Sequence, residues 1–364
     1  MRAWAMLLSR QLGWLLSGPL GRSLGGLLGR RSGRLVGRRL GWRLGRLVGR
    51  RLGWRLGRLV GRRLGWLSGG LVVGLVAVAG CGSRPAVVPM VPHTHVANPV
   101  CTLKFPDPAA GKAARAQLQR DVARYLARQP GRIVYAAHDL VTGVRLGHGE
   151  HENGMITASG SKVDILTALM LSRGRLSGSE HDLASRMIRE SDNHAADALW
   201  WRVGAGYGMG RFYRRTGLSE TTPGPSRYWG GTSTSPADRI RLLRLLVQGG
   251  AGLAQGHRRH ILELMSRVQR DQAWGVSAAA RPGDRVALKN GWTPRPFVHN
   301  TWAVTSYGRI SGPGRDLLLA VQTDRQPGEG TGIQAIEGLA KLIGHRLDTL
   351  TPTFTRPCPA TTIT

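Results

Sequence analysis

The sequence predicts an α/β (α+β) domain: one antiparallel sheet drawn from both ends of the chain, with an all-helical lobe inserted between. Three observations predict it. "RIVYAAHDLVTGVRLGHGE", residues 132–150, reads as two strands around a Thr-Gly turn. Residues 161–269 then carry mostly helical patterns. From residue 284, "DRVALKNGW", "VHNTWAVTSYGRI" and "RDLLLAVQTD" are rich in β-branched and aromatic residues, and the turn sequences "TPRP" and "SGPG" separate them.

Each element has its own signal. "GKAARAQLQRDVARYLARQPG" opens the domain at Gly111 as an amphipathic helix, with Leu118, Val122 and Leu126 at four-residue steps and a Pro-Gly stop. Residues 161–173 predict a buried helix, with Val163, Leu166 and Met170 on one side, Ile165 and Leu169 on the next, and an end at Gly174. "DNHAADALWWRVG" predicts a short helix. "SPADRIRLLRLLVQGG" starts another, with Ser235 as N-cap and Pro236 at the first helical position. "HRRHILELMSRVQ" continues the helical run, and "GIQAIEGLAKLIGHRL" closes the domain as a helix. A sheet built from both ends brings the termini together.

Charge is uneven along the 364 residues. The formal net charge is +31, yet residues 1–80 hold 16 arginines and the first acidic residue is Asp107. The leader repeats "GRRLGWRLGRLV" from Gly37 and Gly49, and its glycines weaken any helix. Residues 1–59 are therefore read as a low-complexity leader, and an internal start near Val60 would leave it untranslated. If retained, its arginines would suit anionic lipid or nucleic acid. No aromatic platform or groove-reading motif follows, so a nucleic-acid partner is not expected.

Residues 60–80 have the basic, apolar and small-residue regions of an export signal. Val78-Ala79-Gly80-Cys81 resembles the lipobox of bacterial lipoproteins, which implies lipidation of Cys81 and anchoring on the outer face of the cytoplasmic membrane. Residues 81–110 read as a Pro-rich tether, 111–350 as the domain, and 351–364 as a C-terminal tail. Cys101 and Cys358 flank the domain. In an oxidising exterior they either pair or remain unrelated thiols. No cofactor and no metal site is expected, because the 11 histidines are scattered and His93 and His95 lie isolated in the tether.

Only five of the 52 basic residues are lysines: Lys104, Lys112, Lys162, Lys289 and Lys341. Arginine cannot give up its proton in a protein, whereas a buried lysine can, so a general base must be Lys. In "ITASGSKVDILTALM", Lys162 falls one turn after Ser159 on the same helix face, where its amine can take the hydroxyl proton. The helix N-terminus adds a backbone N–H and a favourable dipole end for a developing oxyanion. Ser-x-x-Lys alone is a weak motif. Two companions give it weight: Ser191-Asp192-Asn193 at the head of a helix, and Lys289-Asn290-Gly291 on the first late strand.

With these motifs in this order, residues 112–348 resemble the penicillin-recognising serine enzymes, and most closely class A β-lactamase-like serine hydrolases carried as bacterial lipoproteins. The resemblance implies a β-lactamase/transpeptidase-like fold. Ser159 would be acylated with Lys162 as its base, and Ser191 would pass the proton to the leaving nitrogen. Asn193 would hold Lys162 and the substrate amide, Lys289 would meet a substrate carboxylate, and Asn290 would donate a hydrogen bond to substrate. Gly291 would let its strand run close to the acyl chain, and the N–H groups of Ser159 and Trp292 would form the oxyanion hole. Asp192 would be structural. The implied partner is a peptidoglycan peptide or β-lactam-like acyl substrate, bound by a monomer.

Three departures qualify that reading. Asn290 stands where the family has a hydroxyl. Only 32 residues separate Ser159 from Ser191. No Glu-x-x-Leu-Asn follows Asn193, and the glutamates between it and Lys289, Glu220 and Glu263, lie in unlike contexts. Deacylation is therefore expected to be slow. The alternative is a non-catalytic lipoprotein that keeps the fold as a cell-envelope binding or scaffold module.

Overall fold

Alternation along a single strand accounts for the layering. In the computed structural model, which describes residues 101–358, Leu317, Leu319 and Val321 of β8 (Arg315–Gln326) face one apolar cluster, while Leu318 and Ala320 face a second. The sheet is antiparallel with strand order β3-β2-β8-β7-β6. It combines β2 (Arg132–Asp139) and β3 (Arg145–His148) with β6 (Arg285–Arg295), β7 (Thr301–Gly312) and β8. Strands from the two ends of the domain thus meet where β2 pairs with β8, in the register Tyr135 to Val321. α1 (Pro108–Leu126) and α8 (Glu329–Arg346) cover the first face through Leu118, Val122, Ile336, Leu339 and Ile343.

The second face carries the helical lobe. α2 (Ser161–Ser172) runs through it with ten of its residues buried, the pattern of a helix surrounded by protein. Around it lie α3 (Gly178–Arg189), α4 (Asn193–Arg202), α5 (Ala205–Thr216), α6 (Pro236–Gln248) and α7 (Gln255–Ser266). Short strands β4 (Met155–Ile156) and β5 (Ser233–Thr234) pair beneath the start of α2.

Several boundaries differ from the sequence reading. α1 begins three residues before Gly111, because Asp107 caps it by accepting from Ala110 N at 2.9 Å and Pro108 supplies the first turn. β6 continues through Thr293-Pro294, which reads as a turn. β6 is an edge strand, so Pro294 removes no needed ladder donor. The tether and tail also change: Thr102–Pro106 (β1) and Thr353–Pro357 (β9) form an exposed antiparallel ribbon that sets Phe105 opposite Phe354. Cys101 and Cys358 are joined at its end, with Cα atoms 5.4 Å apart. The leader, the signal segment and Cys81 lie outside the described residues. No helix among the described residues is long and apolar enough to cross a membrane.

Candidate active site

Ser159 sits in a 3₁₀ turn, Ala158–Gly160, that runs straight into α2. The turn is held hard. Ala158 has φ +45°, a left-handed conformation unfavourable for a side-chain-bearing residue. Ser161 Oγ donates to Ala158 O at 2.9 Å, Thr157 N to Thr232 O at 2.8 Å, and Tyr307 Oη of β7 to Gly160 O at 2.8 Å. The first residue of α2 and two elements outside it therefore fix the backbone carrying Ser159, whose side chain stays half-exposed.

One turn on, Lys162 is 0% exposed. Its Nζ donates to Ser159 Oγ at 3.0 Å, Ser191 Oγ at 3.0 Å, Ser191 O at 2.6 Å and Asn193 Oδ1 at 2.8 Å. Burial, helped by the charge of Lys289, pushes its amine down to about 6 against the opposing pull of Asp192 and Asp197. So lowered, this amine gives up its proton far more readily than an ordinary lysine, beside a serine hydroxyl.

Ser191 occupies the tight turn between α3 and α4, with φ +55°. Asp192 caps α4 by accepting from Ala195 N at 2.9 Å. That structural contact leaves Asn193, the first residue of α4, aimed at Lys162. From the opposite wall, Lys289 on β6 donates to Ser191 Oγ at 3.1 Å and Asn290 O at 2.9 Å. Burial pushes its amine down to about 7. Ser191 Oγ therefore lies between two amines with depressed proton affinity.

The remaining expected residues divide. Gly291 is needed for a neighbour within the protein itself. A Cβ there would fall 2.8 Å from Ser159 N and 2.7 Å from Gly160 N, and closer still to Thr157 O. The missing side chain lets β6 lie directly against the turn that carries Ser159. Trp292 follows Gly291 in β6, and its ring meets Trp274 edge-on with centroids 5.8 Å apart. Asn290 is a correction. As β6 alternates, its side chain points into the protein, where Nδ2 donates to Gln272 O at 2.8 Å and Trp274 O at 3.1 Å, so it has no donor for a substrate. Lys289 is also only 1% exposed, so its ammonium is not open to the surface.

Neither candidate glutamate is near the two lysines. Glu220 lies in a polar network, taking hydrogen bonds from His151 Nδ1 at 2.8 Å and from Ser235 Oγ. Burial pushes its carboxyl up, but Ser235 and His151 together hold it below the usual range. Glu263 of α7 pairs at 2.7 Å with Arg267, the residue just past the end of that helix. The residue the sequence does not flag is Trp229, in a loop after α5, whose ring lies 4.7 Å from Lys162 Nζ. No three His, Cys, Asp or Glu side chains converge as a metal site among the described residues.

The fold is that of a β-lactamase-like serine enzyme. Residues 175–347 match the model of the β-lactamase enzyme family, a span that includes Ser191, Asn193 and Lys289 and begins after Ser159 and Lys162. Among solved structures, PBP-A is 21% identical with a TM-score of 0.55, over 64% of this chain and 96% of that one. A β-lactamase from Xanthomonas campestris is 20% identical at TM-score 0.55, covering 66% and 100%. An ancestral class A β-lactamase is 22% identical at 0.54, covering 63% and 99%. A protein named lipoprotein LppW from Mycobacterium tuberculosis is 27% identical over 198 residues, 52% of this chain and 62% of its own length. The match thus spans less than two thirds of that relative.

Proposed function

We propose that this chain is an exported, membrane-anchored serine hydrolase that forms an acyl-enzyme at Ser159. The observation that carries this reading is one amine, Lys162 Nζ, within hydrogen-bond reach of Ser159 Oγ, Ser191 Oγ and Asn193 Oδ1, and depressed to about 6. Ser159 Oγ attacks the substrate carbonyl while its proton passes to Lys162. The N–H groups of Ser159 and Trp292 stabilise the oxyanion. As the carbon–nitrogen bond breaks, Ser191 gives its proton to the leaving nitrogen and is replenished from Lys162.

The substrate class is an acyl donor of the peptidoglycan-peptide or β-lactam kind. One solved neighbour is an acyl-enzyme of a PBP-A variant with penicillin G, which supports that class. The lipoprotein name of the relative supports a lipid anchor at Cys81 and a site on the outer face of the cytoplasmic membrane. Residues 111–350, acting as a monomer, carry the chemistry. Turnover of the acyl-enzyme is slow, because Glu220 and Glu263 are engaged away from Lys162.

The test is covalent labelling. A fluorescent penicillin is expected to acylate wild-type protein at Ser159, located by peptide mass spectrometry, and Ser159→Ala to abolish the label. Label that persists in the alanine variant rejects the assignment, and rapid β-lactam hydrolysis rejects slow turnover. The inward-turned amide of Asn290 favours a second reading, a binding or scaffold module without catalysis. A fluorophosphonate probe that leaves Ser159 unmodified would favour it.

A further inference from the structure

The loop that carries Trp229 is built to hold an indole in one place. Its ends are stitched together, Thr222 N donating to Ser233 O at 2.9 Å and Ser233 N to Thr222 O at 3.0 Å. Its middle is pinned by Trp200 Nε1, which donates to Ser226 O at 3.0 Å, and by Gly231 N, which donates to Tyr228 O at 3.0 Å. Gly231 lets the chain lie against the Tyr228 ring, since a Cβ there would sit 2.6 Å from it. Trp229 leaves this frame with its ring face toward Lys162 Nζ and its Nε1–H donating to Asp197 Oδ1 at 2.8 Å. Asp197 lies four residues after Asn193 on α4, hence on the same helix face, and its charge acts on Lys162.

Hydrolysis of an acyl-Ser159 needs a water next to a group that can take its proton. The water adds to the acyl carbon, its proton goes to that base, the C–Oγ bond breaks, and Ser159 Oγ recovers a proton as the carboxylic acid leaves. On this side of the cleft the bases are the free Lys162 amine and the Asp197 carboxylate. One indole covers the first and ties down the second. Resting on the acyl-serine reading above, we propose that Trp229 is a positioning residue that excludes water from Lys162, holds Asp197 by its N–H, and so sets how long an acyl group stays on Ser159.

The experiment measures two rates in the same protein: acylation by fluorescent penicillin, and loss of that label after a chase with unlabelled penicillin. Trp229→Ala is expected to acylate within a few-fold of wild type but to lose its label at least about tenfold faster, a fraction of the roughly 10²-fold or more that a fully placed general base supplies. Trp229→Leu keeps apolar bulk and loses the ring and the N–H, and is expected to fall between them. A loop that was merely structural would slow acylation and leave deacylation alone. Either variant that labels at the wild-type rate and deacylates no faster than wild type overturns the inference. Should alanine collapse the loop, leucine decides. Wild-type protein that takes no label at all rejects the acyl-serine reading itself, and this inference with it.

Discussion

Gly291→Ala is the sharpest available perturbation, because it adds one methyl group where two backbones meet. The new Cβ would lie 2.7 Å from Gly160 N and 2.8 Å from Ser159 N, whereas ordinary contact begins near 3.4 Å. Relief needs a separation of about 1 Å or more, because Thr157 O lies closer to the new Cβ than either nitrogen. The turn that carries Ser159 cannot supply it, since Thr232, Tyr307 and α2 hold that turn in place. β6 can, because as an edge strand it is held on one side only, by β7. The strand therefore moves outward, taking the Trp292 N–H from the oxyanion position and Lys289 from Ser191. Misplacement on the order of 1 Å in an active site costs about 10²-fold in rate. The second-order rate of acylation by a fluorescent penicillin is expected to fall by that factor, with a small drop in thermal midpoint. A variant that acylates within about threefold of wild type would refute the claim that this close approach aligns the site.

Further outcomes are expected. Acylation, as kcat/KM, should describe a narrow bell in pH. Lys162 works only as the free amine, so activity is lost as pH falls through about 6, and Lys289 helps as a cation, so its contribution is lost as pH rises through about 7. The two limbs belong to the coupled pair, and a rate that is flat from pH 5 to 9 would contradict both assignments. Arg239→Met leaves Asp164, 0% exposed and bonded to Arg239 at 2.7 and 2.9 Å, as an uncompensated buried carboxylate. Urea unfolding should show a loss of about 3–5 kcal/mol, and a change under about 1 kcal/mol would show that the pair is dispensable. Reduction of Cys101–Cys358 should lower the thermal midpoint, with an upper limit of about 5 kcal/mol from chain entropy. An unchanged midpoint would mean that the terminal ribbon lies outside the cooperative unit.

The site is legible in the sequence because its chemistry restricts residue choice. In a chain that writes Arg almost everywhere, Lys162 and Lys289 stand out by residue type alone, and Ser191 and Asn193 follow in a short motif. Start signals are less even. Ser235-Pro236 marks α6 as Asp107-Pro108 marks α1, but the second pair lies inside what reads as a tether. α3 has a full capping box in Ser177 and Glu180, yet its apolar residues are sparse. α5 carries three internal glycines and depends on Met209, Phe212 and Tyr213 meeting the lobe. The ribbon of β1 and β9 shows no burial pattern, so only the pairing across the whole domain defines it. The roles of Asn290 and Trp229 are hidden for a related reason. Each owes its role to a loop folded back from a distant part of the chain, and no local spacing records that.

The bond between Cys101 and Cys358 closes the domain into a ring, with both arms of the chain leaving from one point. A ring has no loose end by which to be unravelled. Tension applied between the two ends at Cys101 and Cys358 is borne by a single covalent link beside β1 and β9, and the sheet and helices lie outside its path.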